Sequence, residues 1–142
     1  MTVFPKRRGR LPPLVEVASI VHRVHIGIGS NLGDRQGNVL AALQRLRLRA
    51  RVDAVSSFYE AAPHDGADGP DCLNVAALLE TELDAAAFER FARDVEAAVA
   101  RANARKLAAR PIDIDILAVD GRVVQERLAQ RGCRGGARCW VL

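Results

Sequence analysis

Aromatic residues are scarce: one Trp, one Tyr and four Phe make up 4% of the 142 residues. A sheet that stacks nucleic-acid bases needs paired aromatics on its strands, whereas Phe88 and Phe91 share a helical pattern. Cysteine is equally sparse. Cys72, Cys133 and Cys139 are odd in number and lack CxxC spacing, and none of His22, His25 and His64 stands at ligand spacing from them. A zinc site is therefore not expected, and reduced thiols are. No apolar run approaches the roughly 18 residues of a membrane span. Leu14–Val21, broken by Glu16, does not read as a secretory leader. There is no GxxxxGK[ST] loop, and Gly27-Ile28-Gly29-Ser30-Asn31-Leu32-Gly33 only approaches GxGxxG.

The basic excess is confined to the ends. The formal net charge is +4. Residues 1–10 carry Lys6, Arg7, Arg8 and Arg10 with no acid, and residues 121–142 carry five arginines against Glu126, so the body between them is acidic. This is not the distributed basic surface of a nucleic-acid module. Residues 1–20, with three prolines, read as a poorly ordered N-terminal extension, and residues 21–142 as one domain.

Within that domain the periodicity changes several times. Val24–Gly29 alternates as a strand, Ser30–Asp34 is turn chemistry, and Val39, Leu40, Leu43 and Leu46 predict a helix over Arg35–Arg47. Val52–Tyr59 reads as a second strand, Ala61–Asp71 as a long loop, and Leu73–Leu83 as a third strand. Phe88, Phe91, Val95 and Val99 share one face of a helix expected over Ala85–Ala100. Arg101–Pro111 reads as a basic loop, Ile112–Val119 as a fourth strand, and Asp120-Gly121 as a turn before strand-like Val123-Val124. The order β-α-β-β-α-β predicts an α+β, ferredoxin-like sandwich: an antiparallel sheet with both helices packed on one face and the other face left for a site.

The sharpest local feature is Arg110-Pro111-Ile112-Asp113-Ile114-Asp115-Ile116-Leu117. On a strand the isoleucines face one way, while Asp113 and Asp115 face the other, about 7 Å apart at the backbone. Two like charges on one strand face call for a cation, and Mg²⁺ takes one or two carboxylates plus water and substrate phosphates. Arg101, Arg105, Lys106 and Arg110 precede the pair with no intervening acid, which suits a metal–polyphosphate complex. A helix C-terminus that gathers cations explains Arg101 as well, but not Arg110.

In order, Gly29-Ser30-Asn31-Leu32-Gly33-Asp34, Val55-Ser56-Ser57-Phe58-Tyr59, Pro70-Asp71-Cys72-Leu73-Asn74, Glu80-Thr81 and Lys106 to Leu117 form five spaced motifs. On these the sequence resembles the 6-hydroxymethyl-7,8-dihydropterin pyrophosphokinases of folate biosynthesis, over about Val24–Leu142. The resemblance implies transfer of pyrophosphate from ATP to the pterin's hydroxymethyl oxygen with release of AMP. It implies Asp113 and Asp115 as ligands of two Mg²⁺ ions, and Lys106 and Arg110 beside them as catalytic residues. It implies nucleotide contacts from Arg101, Glu96, Lys106, Arg110, Ile116, Arg127 and Arg138, and pterin contacts from Asn74, Trp140 and Pro63. The loop Ala61–Asp71 matches one that closes over the substrates and excludes water. The implied protein is a cytoplasmic monomer whose partners are ATP and the pterin, with no nucleic acid and no membrane.

The chain also departs from the family pattern. Cys72 replaces a pterin-stacking aromatic, Asn103 stands where an Arg is common, Ala108-Ala109 replace Gly-Pro, and Arg131-Gly132 replace Pro-His. These departures, with the short C-terminal segment, motivate an alternative expectation: a weakened or inactive relative that only binds nucleotide or pterin.

Overall fold

Alternating β-branched residues build the central strand. In the computed structural model, which describes residues 18–62, 69–103 and 111–124, β1 (His22–Ser30) turns Val24, Ile26 and Ile28 to one side, all fully buried. Asp34 then ends the turn. Its carboxylate accepts the Gly37 N–H at 3.0 Å and starts α1 (Arg35–Leu46). Val39, Ala42, Leu43 and Leu46 recur at helical spacing and bury the inner face of α1. Asp84 repeats the device, accepting the Ala87 N–H at 2.8 Å ahead of α2 (Ala85–Ala102). Phe88, Ala92, Val95 and Val99 form its buried stripe, and Phe91 meets Phe88 edge-on with ring centroids 6.2 Å apart.

The remaining strands are β2 (Arg51–Val55), β3 (Tyr59–Ala61), β4 (Cys72–Thr81), β5 (Asp113–Val119) and β6 (Arg122–Val123). Their sheet order is β2-β4-β1-β5-β6, with β3 also pairing with β4, and every pairing is antiparallel. The antiparallel sheet with two helices on it is the fold expected from the sequence. One core joins Val24, Ile26, Ile28, Val75, Leu79, Ile112 and Ile114 of the sheet side to the inner faces of α1 and α2. The residues that alternate with these on β1, β4 and β5 point to the opposite face.

Most element boundaries shift by a residue or two, β4 for instance ending at Thr81 and not at Leu83, and three differences stand out. The segment expected as one strand over Val52–Tyr59 is two, broken at Ser56–Phe58. The Ser56 hydroxyl accepts the Ala76 N–H at 2.9 Å, doing the work of a backbone carbonyl and ending the ladder there. Ala61 belongs to β3 and not to the loop, because it pairs with Cys72. α2 runs on through Arg101 and Ala102, with Asn103 as its C-cap. Residues 1–17 of the expected extension lie outside the described residues.

Replacing Phe88 by Ala is expected to cost about 3–5 kcal/mol, the range for a large aromatic deleted from a packed core, read as a fall in the urea midpoint. A second expectation concerns pH. Asp120 has φ +50° in the turn before Gly121 at φ +78°. A 2.7 Å hydrogen bond from His22 and a 2.8 Å bond from the Arg23 N–H hold its carboxyl below the ordinary Asp range. The folded pKa is the lower one, so its stabilisation is present above the unfolded value and is lost as pH falls through the folded value. The midpoint advantage of the parent over Asp120→Asn should therefore shrink on acidification below the ordinary Asp pKa.

Candidate active site

The site is a consequence of strand register. Gly29 of β1 pairs with Asn74 on one side and Asp113 on the other, and Gly27 pairs with Ala76 and Asp115. Paired residues share a face, and the core face of β1 is occupied by Val24, Ile26 and Ile28. Asn74, Gly29 and Asp113 therefore form one row across the face opposite α1 and α2, with Ala76, Gly27 and Asp115 as the next. Neither glycine raises a side chain between its neighbours. With strands about 4.8 Å apart, Asn74 and Asp113 lie about 10 Å apart at the backbone.

Asp113 is half-buried and Asp115 is only 8% exposed. Among the described residues no three His, Cys, Asp or Glu side chains gather as a metal cluster. Two carboxylates on one strand face are nonetheless the donor set that Mg²⁺ uses when phosphates and water fill its other positions, so the residues fit the ion the sequence suggested.

The outer edge of β5 carries the second part of the site. β6 pairs only with Ala118 and Val119, so the first half of β5 has no outer strand partner among the described residues. Glu96, on α2 and 5% exposed, fills one position: its Oε1 accepts the Ile114 N–H at 2.7 Å. Beside this bond a cavity of about 350 Å³ opens between α2 and β5. Ala85, Ala86 and Ala92 leave room for it on the helix, and Ile114, Asp115 and Ile116 line it on the strand. Ile116 and Asp115 thus connect an apolar slot to the acid pair.

Asn74 is 4% exposed, and its Nδ2 donates to the Cys72 carbonyl at a long 3.4 Å. Cys72 is joined in a disulfide, which corrects the expectation of free thiols for that residue. A disulfide sulfur has no hydrogen to donate, so its 3.4 Å approach to Asn74 Oδ1 is a contact only. Arg101 is exposed in the last turn of α2. Pro63, Lys106, Arg110, Arg127, Arg138 and Trp140 lie outside the described residues.

Arg35, Asn38 and Ser30 were not singled out from the sequence; in the structure Arg35 donates to the Asp71 carbonyl, Asn38 to the Ser30 hydroxyl, and Ser30 to the Pro111 carbonyl. Asn38 does leave a trace, being a polar residue in the apolar stripe of α1, immediately before Val39.

A family model described as 7,8-dihydro-6-hydroxymethylpterin-pyrophosphokinase (HPPK) matches residues 25–133. The chain belongs to this family. A 2-amino-4-hydroxy-6-hydroxymethyldihydropteridine pyrophosphokinase from Methylorubrum extorquens is 36% identical over 109 residues, covering 75% of this chain and 69% of that protein. The protein of the same name from Aquifex aeolicus is 30% identical over 105 residues, covering 74% and 66%. A mitochondrial folate synthesis bifunctional protein from Arabidopsis thaliana is 35% identical over 105 residues, which is 72% of this chain and 19% of the plant protein. HPPK membership and these names support an ATP-dependent pyrophosphokinase function in folate biosynthesis.

Glu96→Leu is expected to cost about 1–3 kcal/mol, because the buried Ile114 N–H loses its acceptor. Glu96→Gln keeps an acceptor oxygen and should cost less. Urea denaturation of the two variants beside the parent measures both.

Proposed function

We propose that the chain transfers the terminal pyrophosphoryl group of ATP to the hydroxymethyl oxygen of 6-hydroxymethyl-7,8-dihydropterin. One observation carries this reading: Asn74, side-chain-free Gly29 and Asp113 form a single row across the sheet face opposite α1 and α2. An amide that can read a heterocycle and a carboxylate that can hold a metal–phosphate complex are thus separated by a flat strip about 10 Å wide.

In this reading the pterin ring lies toward Asn74, whose amide offers both a donor and an acceptor to a pterin edge. The nucleoside lies toward the slot between α2 and β5, against Ile116, with the triphosphate crossing Asp115 and Asp113. The hydroxymethyl oxygen attacks the β-phosphorus, the bond from that phosphorus to the α–β bridging oxygen breaks, AMP leaves, and the hydroxyl proton is released to solvent. Two Mg²⁺ ions held by Asp113 and Asp115 would supply charge neutralisation at the attacking and leaving oxygens. Positioning by the chain's own groups does most of the rest. Glu96 contributes by tethering β5 at Ile114, the residue between the two carboxylates. Arg101, Lys106, Arg110, Arg127 and Arg138 are the cations assigned to the phosphates and nucleotide, and Trp140 and Pro63 complete the pterin side. With ATP as co-substrate, the reading also includes a cytoplasmic location and a monomeric chain.

The test is AMP release from Mg-ATP in the presence and absence of the hydroxymethyl dihydropterin. Pterin-dependent AMP is the expected result. Binding of Mg-ATP with no turnover, at protein concentrations comparable to substrate, would leave the binding-only alternative in its place. Asp113→Ala should lower turnover by more than about 100-fold, beyond the range for a group that merely supports a metal ligand. Its urea midpoint should stay near that of the parent, because Asp113 is outside the apolar core.

A further inference from the structure

Arg35 and Asn38 are three residues apart in the first turn of α1 and face the same side of it. Each is linked, directly or through one intervening side chain, to both ends of a connection between elements. Arg35 donates through Nη2 to Glu60 Oε1 at 2.6 Å and through Nη1 to the Asp71 carbonyl at 2.8 Å. Glu60 lies in β3 and Asp71 immediately precedes β4, so one guanidinium spans the connection between those strands. Asn38 reaches the two ends of the α2–β5 connection by relay. Its Nδ2 donates to Ser30 Oγ at 3.2 Å, and the Ser30 hydroxyl donates to the Pro111 carbonyl at 2.5 Å. Its Oδ1 accepts from Asn103 Nδ2 at 3.1 Å, and Asn103, the C-cap of α2, also donates to the Val99 carbonyl at 2.9 Å.

These bonds are not incidental to helix formation. α1 already has its cap in Asp34, and Asn is a poor choice for a helix interior. Asn38 and Ser30 are 4% and 2% exposed, so water offers little substitute if a bond is lost. The targets are also specific. Asp71 stands three residues before Asn74, and Pro111 two residues before Asp113, so each anchor lies just upstream of one half of the proposed site.

We propose that Arg35 and Asn38 are positioning residues that separately hold the two halves of the site: Arg35 sets the approach to Asn74 and hence pterin binding, and Asn38 sets the approach to Asp113 and hence nucleotide binding. This rests on the functional reading above, which places the pterin at Asn74 and the nucleotide at Asp113. A displacement of about 1 Å at a reacting group is enough to lower a rate substantially.

The test is a crossed comparison of Michaelis constants with a structural readout alongside. Arg35→Ala should raise the KM for the pterin about ten-fold and leave that for Mg-ATP within about two-fold, with Asn38→Ala doing the reverse, as expected for loss of hydrogen bonds that each serve one half of the site. Arg35→Lys, a point charge that cannot span two acceptors, should fall between parent and Ala. The Ser30→Ala/Asn103→Ala double variant should reproduce Asn38→Ala, and it also serves if Asn38→Ala fails to fold. Equal movement of both constants, or of neither, overturns the proposal.

Amide hydrogen exchange separates this outcome from failure of the functional reading. Arg35→Ala should accelerate exchange in residues 59–62 and 69–72 only, and Asn38→Ala in residues 100–103 and 111–114 only. If the parent lacks pyrophosphokinase activity, the functional reading falls, and the exchange pattern alone decides whether the two anchors exist. Uniform acceleration, or none, removes them.

Discussion

Every relation in the site depends on the ladder that makes β1 the middle strand. Its hydrogen bonds to β4 and β5 put Asn74 and Asp113 on either side of Gly29. The register is strongly specified. A slip of one residue between β1 and β5 would send Asp113 and Asp115 into the core and bring Ile112, Ile114 and Ile116 to the open face. Burying those carboxylates would cost several kcal/mol per ion, so the core itself enforces the alignment of the polar face. The two glycines have a matching role. A larger residue at either would stand between the acid pair and the β4 side of the row.

Among the described residues, buried polar groups are concentrated toward one end of the sheet. Ser30, Asn38, Asn74, Glu96 and Asp115 lie toward the end of β1, while Thr81 pairs with His22 at its beginning. Ser30 and Asn38 bond to each other, and Glu96 meets the strand that carries Asp115. The opposite end is held by apolar packing and by exposed ion pairs such as Arg51 with Asp53 and Glu80, which contribute little in water. Such a division is expected of a protein whose site needs fixed dipoles at one end and whose stability comes from a core. Glu96 shows how closely the two are joined. Its oxygen satisfies a buried backbone donor and holds the residue between the two carboxylates.

Much of the architecture was legible because its signals are local. Alternating Ile and Asp require a strand with a charged face, and Asp34 and Asp84 sit where helix caps must. The break at Ser56–Phe58 was not legible, since it depends on a hydroxyl reaching Ala76 across a strand pair. Arg35 entered the sequence reading only as the start of a helix. Its partners, Glu60 and Asp71, are distant in sequence and become neighbours only when β3 and β4 pair. Asn38 showed only as a polar residue in an apolar stripe, because its buried partners come from β1 and from the end of α2.

Taken by itself, the sequence determined the helix-capped α+β layout, the acid pair on one strand face, and membership in the HPPK family through five spaced motifs. Each follows from residue types at short separations, where periodicity and turn chemistry act. Only the tertiary structure decided that Asn74 and Asp113 share a row across glycine, that Glu96 is committed to the Ile114 amide, and that a slot lies between α2 and β5. Those facts follow from which strands become neighbours and in what register, which is settled by burying one face of the whole sheet at once.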